Sequence, residues 1–445
     1  MQPKVSVVIP CYNKAGYVGN LFNSIIAQKW NNIELIIVND GSSDGTREVI
    51  EDWLPRFRWR GYGIVVVDQV NQGVAGAVLE GLKRITGEFI CQVDADDELA
   101  PEYISTMAGW LDIHPEDKWV YCEYGSKHMD FGIMPEETYE KHKTLMEDFL
   151  LFKEPYGVGV SMVRTSYADE TRMLDNYVTE FRITQEPQFY LPLIIGGAKP
   201  VHIRRSLYYA FARESSIVTT ARSSIKSINA FTDAYSSTTA ETLKRCGVDI
   251  SNEKIAMSLG VGHYYHKYLC AVRADNPEVA QYCETLSYEL HEYLENGTTL
   301  NIKKDELFSA GIEVFVHALR KYMEASLYSN DKTILQNGKI IGYGVLGKAA
   351  RRITKSVVNS PVSPTVFWDI SAKESMAIEN IQVTIPDFSS LSPCDVVLFL
   401  IKDQQITESV IMKLRRFIPR KSIFVYNEVL DLLAKYYFKN LSRGL

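Results

Sequence analysis

Long hydrophobic runs and paired cysteines are both lacking in this 445-residue chain. No apolar run approaches the roughly 20 residues that a membrane-spanning helix needs, and the N-terminus MQPKVSVVIP lacks the charged-then-apolar pattern of a signal peptide. The seven cysteines are scattered without a C-x-x-C pair, which argues against a zinc site and against a disulfide framework. We therefore expect a cytoplasmic protein, and leave open an association with the inner face of the membrane.

An excess of positive charge is lacking as well. The chain has 48 Lys and Arg residues against 55 Asp and Glu residues, a formal net charge of −7, which argues against nucleic acid as the main partner. What the chain does have is a hydrophobic fraction of 46% with 23% charged residues. This composition is typical of a globular protein that buries sizeable cores.

The length and the pattern of apolar residues predict more than one domain. Strand-like runs alternate with amphipathic helices over about the first 100 residues, and the alternation returns from Lys339 to the end of the chain. The stretch between about 223 and 329 is helical in pattern nearly throughout. The predicted fold class is α/β, with domains at 1–222, 223–335 and 336–445.

Acidic residues follow two of the predicted N-terminal strands, Ile33 to Val38 and Glu88 to Val93. The first strand runs into Asp40, and the second runs into the sequence DADDEL, which holds Asp94, Asp96 and Asp97. Carboxyl ends of parallel strands meet at one edge of a sheet, where ligands bind. The carboxylates predict either a site for a hard divalent cation or a solvated acidic turn before the next helix, and the second acid at this edge favours the cation.

The order of these segments resembles a known family. The stretches VSVVIPCYNKAGYVGNLFNSIIAQ, IELIIVNDGSSDGT and NQGVAGAVLEGLKRITGEFICQVDADDEL are similar to the nucleotide-sugar-binding half of family 2 inverting glycosyltransferases with the GT-A fold. The resemblance is close over roughly the first 115 residues and weaker to about Ile217. It implies an enzyme of the hexosyltransferase type that uses Mn²⁺ or Mg²⁺ and a nucleotide sugar, with a UDP-sugar as the expected donor.

The resemblance also implies roles for particular residues. Pro10, Tyr12 and Asp40 would line the pocket for the base and ribose of the donor. Asp94 and Asp96 fall on the D-x-D positions, where the second carboxylate would hold the metal ion. Asp94 is the second candidate for a metal ligand and would also contact the donor. Asp97 either assists or begins the next helix.

A catalytic base is implied by the same resemblance in the stretch TQEPQFYLPLIIGG. Glu186 takes the place of the family's carboxylate and would remove the proton from the acceptor hydroxyl. A plain helix-start glutamate before Pro187 is the alternative, and Glu180 is the second candidate for the base.

Two departures from the family pattern weaken the donor assignment. Val78 and Leu79 stand where many relatives have an Arg-Asn pair. In LYYAFARESSIV, Phe211 takes a usual Arg position and Arg213 a usual His position, from which Arg213 could clamp a diphosphate or lie on the surface as an ordinary arginine.

The C-terminal segment has a glycine motif of its own. In KIIGYGVLGKAARRI, Gly342, Gly344 and Gly347 have G-x-G-x-x-G spacing between a strand and a helix, and Asp369 lies 22 positions farther on. This pattern resembles a Rossmann-like dinucleotide site and would place NAD(P) there. The simpler alternative, which we favour, is that the glycines serve the strand-helix turn of a docking, dimerising or regulatory module.

The expected function is therefore transfer of a sugar to a hydroxyl of a glycan or polymer acceptor, in synthesis of a bacterial surface polysaccharide. Two alternatives stay open: a bifunctional enzyme whose C-terminal domain uses NAD(P) for sugar modification, and a non-catalytic nucleotide-binding scaffold. A homo-oligomer formed through the helical region is compatible with the sequence.

Overall fold

The computed structural model describes residues 2–125, 139–141, 146–152, 157–182, 184–211, 216–274, 276–298, 300, 302–323, 339–347, 350–373, 376–392, 395–419 and 422–438. They form two compact units. The first unit comprises Met1–Ala221 and Asn229–Ile255, and the second comprises Arg222–Ile228 and Ala256–Leu445.

The first unit is built on one mixed sheet. Its strands are β1 (Val5–Cys11), β2 (Ile33–Asn39), β3 (Gly63–Asp68), β4 (Phe89–Gln92), β5 (Glu98–Leu99), β6 (Trp119–Gly125), β7 (Tyr139–Lys141), β8 (Ser161–Arg164) and β9 (Val201–Tyr209). The strand order is β3-β2-β1-β4-β8-β6-β9-β5, with β7 paired to β9. The four strands that the apolar runs predict, at Lys4 to Ile9, Ile33 to Val38, Ile64 to Val67 and Glu88 to Val93, are confirmed as β1 to β4, and their ends lie within two residues of these positions.

Helices of the first unit connect these strands. They are α1 (Val18–Ile26), α2 (Thr46–Trp59), α3 (Gly73–Leu82), α4 (Tyr103–Ile113), α5 (Met146–Leu150), α6 (Thr165–Glu170), α7 (Glu186–Ile195), α8 (Ile217–Ala221) and α9 (Ile225–Arg245). Gly81 of α3 shows how closely a helix lies on the sheet, since a Cβ at this position would come within 2.5 Å of the Val8 side chain. Because β1 to β4 are parallel and connected by helices, their polar carboxyl ends meet at one edge.

The second unit combines long helices with a smaller sheet. Its elements are α10 (Glu253–Ala271), α11 (Pro277–Gly297), α12 (Lys304–Met323), β10 (Ile340–Tyr343), α13 (Ala350–Val358), β11 (Val366–Trp368), β12 (Ala377–Ile378), β13 (Ile381–Thr384), β14 (Val396–Phe399), α14 (Gln404–Leu414), β15 (Ile423–Phe424) and α15 (Tyr426–Tyr437). The strand order is β12-β13-β11-β10-β14-β15, and all neighbours are parallel except β12 and β13. No helix in the described ranges is both long and apolar enough to cross a membrane.

The predicted helical region, 223–335, is divided between the two units. Most of α9 belongs to the first unit, whereas α11 and α12 belong to the second. The physical reason lies in α12, which packs on α13 and α15 and so helps to cover the C-terminal sheet. The described helices of 223–335 therefore do not form a unit of their own.

Both sheets share one topological feature. In each, the chain passes from a first strand (β1 or β10) outward to strands on one side, then returns to pair a later strand (β4 or β14) on the other side of the first. Such a reversal leaves a crevice at the carboxyl ends of these two strands, where ligands of doubly wound sheets bind.

Candidate active site

The crevice of the first sheet lies between the segments that follow β1 and β4. Lys14 comes from the β1 side and Asp96 from the β4 side. The Lys14 Nζ lies 2.6 Å from Asp96 Oδ2, and both side chains are mostly buried. The ion pair thus joins the two edges of the crevice, and Lys14 is a site residue that the sequence did not reveal.

Asp94 lies on the same loop in a setting that disfavours its charge. Burial, together with the neighbouring charges of Asp97, Asp96 and Glu186, raises the pKa of the Asp94 carboxyl to about 7. A single hydrogen bond from Gln185 Nε2, at 3.4 Å, opposes them. The structure therefore brings Asp94, Asp96 and Glu186 together, as the sequence predicted.

Asp97 has a different part in this loop. Its Oδ2 accepts a hydrogen bond from the Tyr208 hydroxyl at 2.7 Å, and its Oδ1 accepts one from the Phe211 N–H at 3.0 Å. Burial still raises the pKa of Asp97 to about 6. The Tyr208 hydroxyl also accepts from the backbone N–H of Asp94, at 3.2 Å. Asp97 therefore holds the loop in place through these contacts.

Asp94 and Asp96 are suited to an open site for a hard divalent cation, and not to a closed site in which protein side chains supply every ligand. Within the described residues, no group of three His, Cys, Asp or Glu side chains converges to hold a metal. Mg²⁺ and Mn²⁺ sites in nucleotide-dependent enzymes commonly use one or two carboxylates and complete the shell with water and phosphates. A cation would also offset the repulsion that raises the pKa of Asp94.

Asp40 is buried at the carboxyl end of β2, with 2% of its surface exposed. Its carboxylate accepts hydrogen bonds from Gln69 Nε2 at 2.7 Å, from the Gln72 N–H at 2.8 Å and from the Gly73 N–H at 2.9 Å. These bonds fix the segment that leads into α3. The Gln69 Oε1 beside Asp40 is buried and has no hydrogen-bond partner among the described residues, which leaves one acceptor available to a ligand.

Pro10 and Tyr12 lie next to Asp40 at the end of β1. Pro10 pairs with Val38 and is half-buried, whereas Tyr12 just beyond the strand is 47% exposed. The Asp40 N–H donates to the Cys11 carbonyl at 2.8 Å, which ties the two strand ends together. An exposed aromatic ring is thus held at the mouth of the crevice.

Glu186 begins α7. Its Oε2 accepts from the Thr184 hydroxyl at 3.1 Å and from the Gln185 N–H at 3.3 Å, while its Oε1 accepts no hydrogen bond within the described part of the chain. Gln185 links this helix start to the acidic loop, because its side chain donates to Asp94 and accepts from Gln92 Nε2 at 2.6 Å. Glu186 is therefore held near Asp94 with one oxygen unused.

Glu180, the second candidate for the base, is engaged elsewhere. Its Oε1 lies 2.5 Å from Arg245 Nη2 of α9, and its Oε2 accepts from the Thr179 N–H at 2.9 Å. The Glu180 side chain is 56% exposed. These contacts favour Glu186 over Glu180.

Arg213, the remaining predicted donor contact, lies outside the described residues. Val78, one of the two residues in place of the family's Arg-Asn pair, is fully buried in α3. A guanidinium is nevertheless present nearby, because Arg182 donates through Nη2 to the carbonyl and the side-chain oxygen of Asn71, at 2.7 and 2.6 Å. The sequence contained no signal for Arg182, which reaches this segment from 111 positions away.

Two glycines in the segment PYGVGV make room for tyrosines beside the acidic loop. A Cβ on Gly159 would come within 2.3 Å of the Tyr208 ring, and one on Gly157 would overlap the Tyr124 hydroxyl. The Tyr124 and Tyr208 rings meet edge to face, with centroids 5.7 Å apart. These glycines let Tyr208 reach Asp97.

The C-terminal glycine motif has structural explanations. A Cβ on Gly344 would meet the Ile401 side chain at 2.1 Å, and one on Gly342 would meet Phe367 at 2.4 Å. Asp369 accepts hydrogen bonds from the Leu346 N–H at 3.0 Å and from the Ser371 N–H at 2.9 Å, so it supports the glycine turn itself. These contacts favour the turn-forming role, and NAD(P) binding by Gly342, Gly344, Gly347 and Asp369 stays a prediction.

Comparison with known proteins addresses the first unit. Residues 6–171 match the family model of glycosyl transferase family 2. Glycosyltransferase GlyA of Streptococcus pneumoniae is 30% identical over 142 residues, 31% of this chain and 20% of that protein. The poly-beta-1,6-N-acetyl-D-glucosamine synthase of Staphylococcus epidermidis is 36% identical over 103 residues, 22% of this chain and 24% of that protein. The match to this chain thus covers a fifth to a quarter of the length of these two relatives.

A solved structure, S. aureus TarS 1–349, covers 75% of this chain and 95% of its own length, at 19% identity and a TM-score of 0.41. The family match includes β1 to β4 and the acidic loop but ends before Glu186. The resemblance found in the sequence is confirmed over this range, in which the chain is similar to glycosyl transferase family 2.

Proposed function

We propose that the first unit transfers a sugar from a nucleotide-sugar donor to a hydroxyl of a glycan or polymer acceptor, with inversion at the anomeric carbon. The observation that carries the proposal is the convergence of Asp94, Asp96 and Glu186 at the switch point of the sheet. Carboxylates for a metal and a separate carboxylate for a proton are the two parts that such a transfer needs.

The donor pocket is proposed at the ends of β1 and β2. The exposed Tyr12 ring can stack on a nucleobase, and Pro10 forms the wall beside it. Asp40 fixes the segment that carries Gln69, whose unpartnered Oε1 can accept an N–H of the base. A uracil has such an N–H, which supports a UDP-sugar as the donor.

Asp96 and Asp94 are proposed to hold Mg²⁺ or Mn²⁺. Bound there, the ion would neutralise the charge that develops on the departing nucleoside diphosphate. The protein's own contribution is to place the two carboxylates, and Tyr208 together with Asp97 fixes the loop that carries them. Lys14 must release Asp96, at least in part, when the ion binds.

Glu186 is proposed as the base. Its unengaged Oε1 would accept the proton of the acceptor hydroxyl as the hydroxyl oxygen attacks the anomeric carbon opposite the leaving diphosphate. The new glycosidic bond forms as the bond to the diphosphate breaks, so one displacement inverts the centre. Thr184 and Gln185 hold the other oxygen and so fix the direction of the carboxylate.

The acceptor is proposed to be a growing surface polysaccharide of a bacterium. The Staphylococcus epidermidis relative is named for synthesis of a sugar polymer, which supports this class of acceptor. A polymer made at a membrane would also give a reason for the association with the inner face that the sequence leaves open.

The decisive experiment compares Asp96→Ala with the matched control Asp112→Ala, which removes an exposed carboxylate from α4. Transfer from a panel of nucleotide sugars is followed by mass spectrometry with Mn²⁺ or Mg²⁺, and Mn²⁺ binding is measured by calorimetry in the presence of UDP. We expect Asp96→Ala to lower transfer by about a thousandfold and to abolish metal-dependent nucleotide binding, while the control changes neither. Full activity of Asp96→Ala would disprove the metal role.

A further inference from the structure

The second sheet has a crevice of the same topology, and the residues around it are cationic and aromatic. Arg352 lies in the first turn of α13, which follows β10, and Lys402 follows β14. Tyr426 begins α15, directly after β15. These segments follow three neighbouring parallel strands, β10, β14 and β15, at their carboxyl ends, which is where a doubly wound sheet binds its ligand.

One buried carboxylate organises this cluster. Glu313 of α12, 4% exposed, lies 3.3 Å from Lys402 Nζ and 3.6 Å from Arg352 Nη1. Tyr265 donates to it at 2.6 Å and Tyr426 at 3.3 Å. The carboxylate therefore neutralises part of the charge of the two cations and holds both in fixed positions.

Further cations surround the pair. The Arg320 guanidinium lies 5.7 Å from the centroid of the Tyr265 ring. Burial lowers the pKa of Arg273, and the charges of Arg352 and Arg222 lower it further, so these guanidinium groups repel one another. Cationic groups thus lie close to one another in this cluster, and a bound anion would offset their repulsion.

Arg352 supplies an independent observation. Its side chain is only 8% exposed, yet its Nε has no hydrogen-bond partner within the described ranges. A buried donor of a charged group is rarely left unsatisfied unless a ligand or an ion completes it. Lys402, by contrast, is 48% exposed and opens the cluster to solvent.

The chemistry of the cluster fits phosphate oxygens. Guanidinium groups fork onto them, and an ammonium group acts as a mobile point charge beside them. Several neighbouring cations match a ligand with more than one negative charge. At Gly344 the close approach is made by the protein itself, because the Ile401 side chain occupies the place that a Cβ would take.

We propose that the second unit binds a small molecule carrying a phosphate or diphosphate group at the carboxyl ends of β10 and β14, with Arg352 and Lys402 as its ligands. This site is separate from the transfer site of the first unit and does not depend on the function proposed there.

The test uses the full chain and pyrophosphate as the probe, titrated by calorimetry at constant ionic strength. The protein carries Asp96→Ala and the buffer contains EDTA, so that metal-dependent binding at the first unit contributes no heat. We expect saturable binding that Lys402→Gln weakens by about tenfold to a hundredfold. The matched control is Lys413→Gln, which removes an exposed positive charge from α14.

The outcomes distinguish specific binding from a general attraction of pyrophosphate to positive charge. Arg352→Gln should weaken pyrophosphate binding at least as much as Lys402→Gln, and thermal unfolding of each variant shows that it is folded. Equal weakening by Lys402→Gln and Lys413→Gln would overturn the proposal, as would the absence of heat with the parent protein. Titration with inorganic phosphate in place of pyrophosphate distinguishes a monophosphate ligand from a diphosphate. If NAD binds more tightly than pyrophosphate and Lys402→Gln does not weaken it, the crevice is a dinucleotide site and the proposal is wrong.

Discussion

The two sheets of this protein share a reversal of strand order but carry different side chains at their switch points. At the first, the loop after β4 presents Asp94 and Asp96, and Lys14 pairs with Asp96. At the second, Arg352 and Lys402 follow β10 and β14 and share the carboxylate of Glu313. One topology therefore supports two chemistries, because the strand ends fix only where a ligand binds and the side chains decide which ligand it is.

The turns after the first strands differ as well. At the first switch point, the turn after β1 carries the exposed Tyr12. At the second, the space above Gly344 is filled by Ile401. A glycine motif therefore indicates a close approach of atoms, and the structure shows whether a ligand or the protein itself makes that approach.

The largest expected effect is on kcat, when the proposed base Glu186 is changed. Glu186→Gln should lower kcat by about a hundredfold to ten-thousandfold and leave donor binding intact, because the amide keeps the size of the side chain but cannot take the proton. Steady-state kinetics together with calorimetry of the nucleotide would show this. Glu180→Gln is the control, and an equal loss of kcat in that variant would move the base role away from Glu186.

The next largest effect is a loss of stability when the glycine turn of the second sheet is changed. Gly344→Ala should lower the free energy of unfolding by about 2–4 kcal/mol, since the residue has φ of +79° and its Cβ would meet Ile401. Gly347→Ala should cost less than about 1 kcal/mol, because a Cβ there meets only the Gly344 carbonyl, at 3.5 Å. Chemical denaturation compares the two, and similar losses would contradict the packing role assigned to Gly344.

A smaller effect is expected where Tyr208 supports the acidic loop. Tyr208→Phe should destabilise the protein by about 1–3 kcal/mol, because it removes the hydrogen bond to the buried Asp97 and the acceptor of the Asp94 N–H. Tyr209→Phe, a neighbouring change of the same kind, serves as the control. Urea unfolding of both variants measures the difference, and a double mutant with Asp97→Asn should show less than the sum of the single losses.

The smallest effect is expected from removing the charge of Glu34, a structural carboxylate of the first sheet that lies outside the proposed site. Glu34 in β2 accepts hydrogen bonds from Ser6 and Thr86, each at 2.5 Å. Burial acts to raise the pKa of Glu34, but these bonds and the charge of Lys4 outweigh it and the pKa lies below its ordinary value. Glu34→Gln should therefore cost about 1–2 kcal/mol at pH 7 and leave the transfer rate unchanged.

The pH dependence of this effect has a defined sign. A carboxylate with a lowered pKa stabilises the folded state fully above its unfolded-state pKa, about 4.3, and this contribution is lost as the pH falls through the folded-state value. The difference in stability between the parent protein and Glu34→Gln should therefore shrink below about pH 4. Denaturation at several pH values measures it, with the exposed Glu51→Gln as control, and a difference that grows toward acid pH would contradict this account.

Much of the first unit could be predicted from the sequence. Apolar runs are local properties, so β1 to β4 were found nearly to their ends. The acidic loop was also found, because a strand that ends in carboxylates has a known place in a parallel sheet. Glu186 is near Asp94 as expected, although its role as the base remains a prediction.

Only the tertiary structure decided which of these residues meet. The pairing of Lys14 with Asp96 joins positions 82 apart, and that of Tyr208 with Asp97 joins positions 111 apart. The grouping of Arg352 and Lys402 around Glu313 likewise depends on how α12 packs on the second sheet. Periodicity and spacing report on neighbours along the chain, whereas these contacts depend on strand order and helix packing. The sequence by itself therefore determined the two α/β sheets and the acidic strand end, and the structure decided that one crevice is acidic and the other cationic.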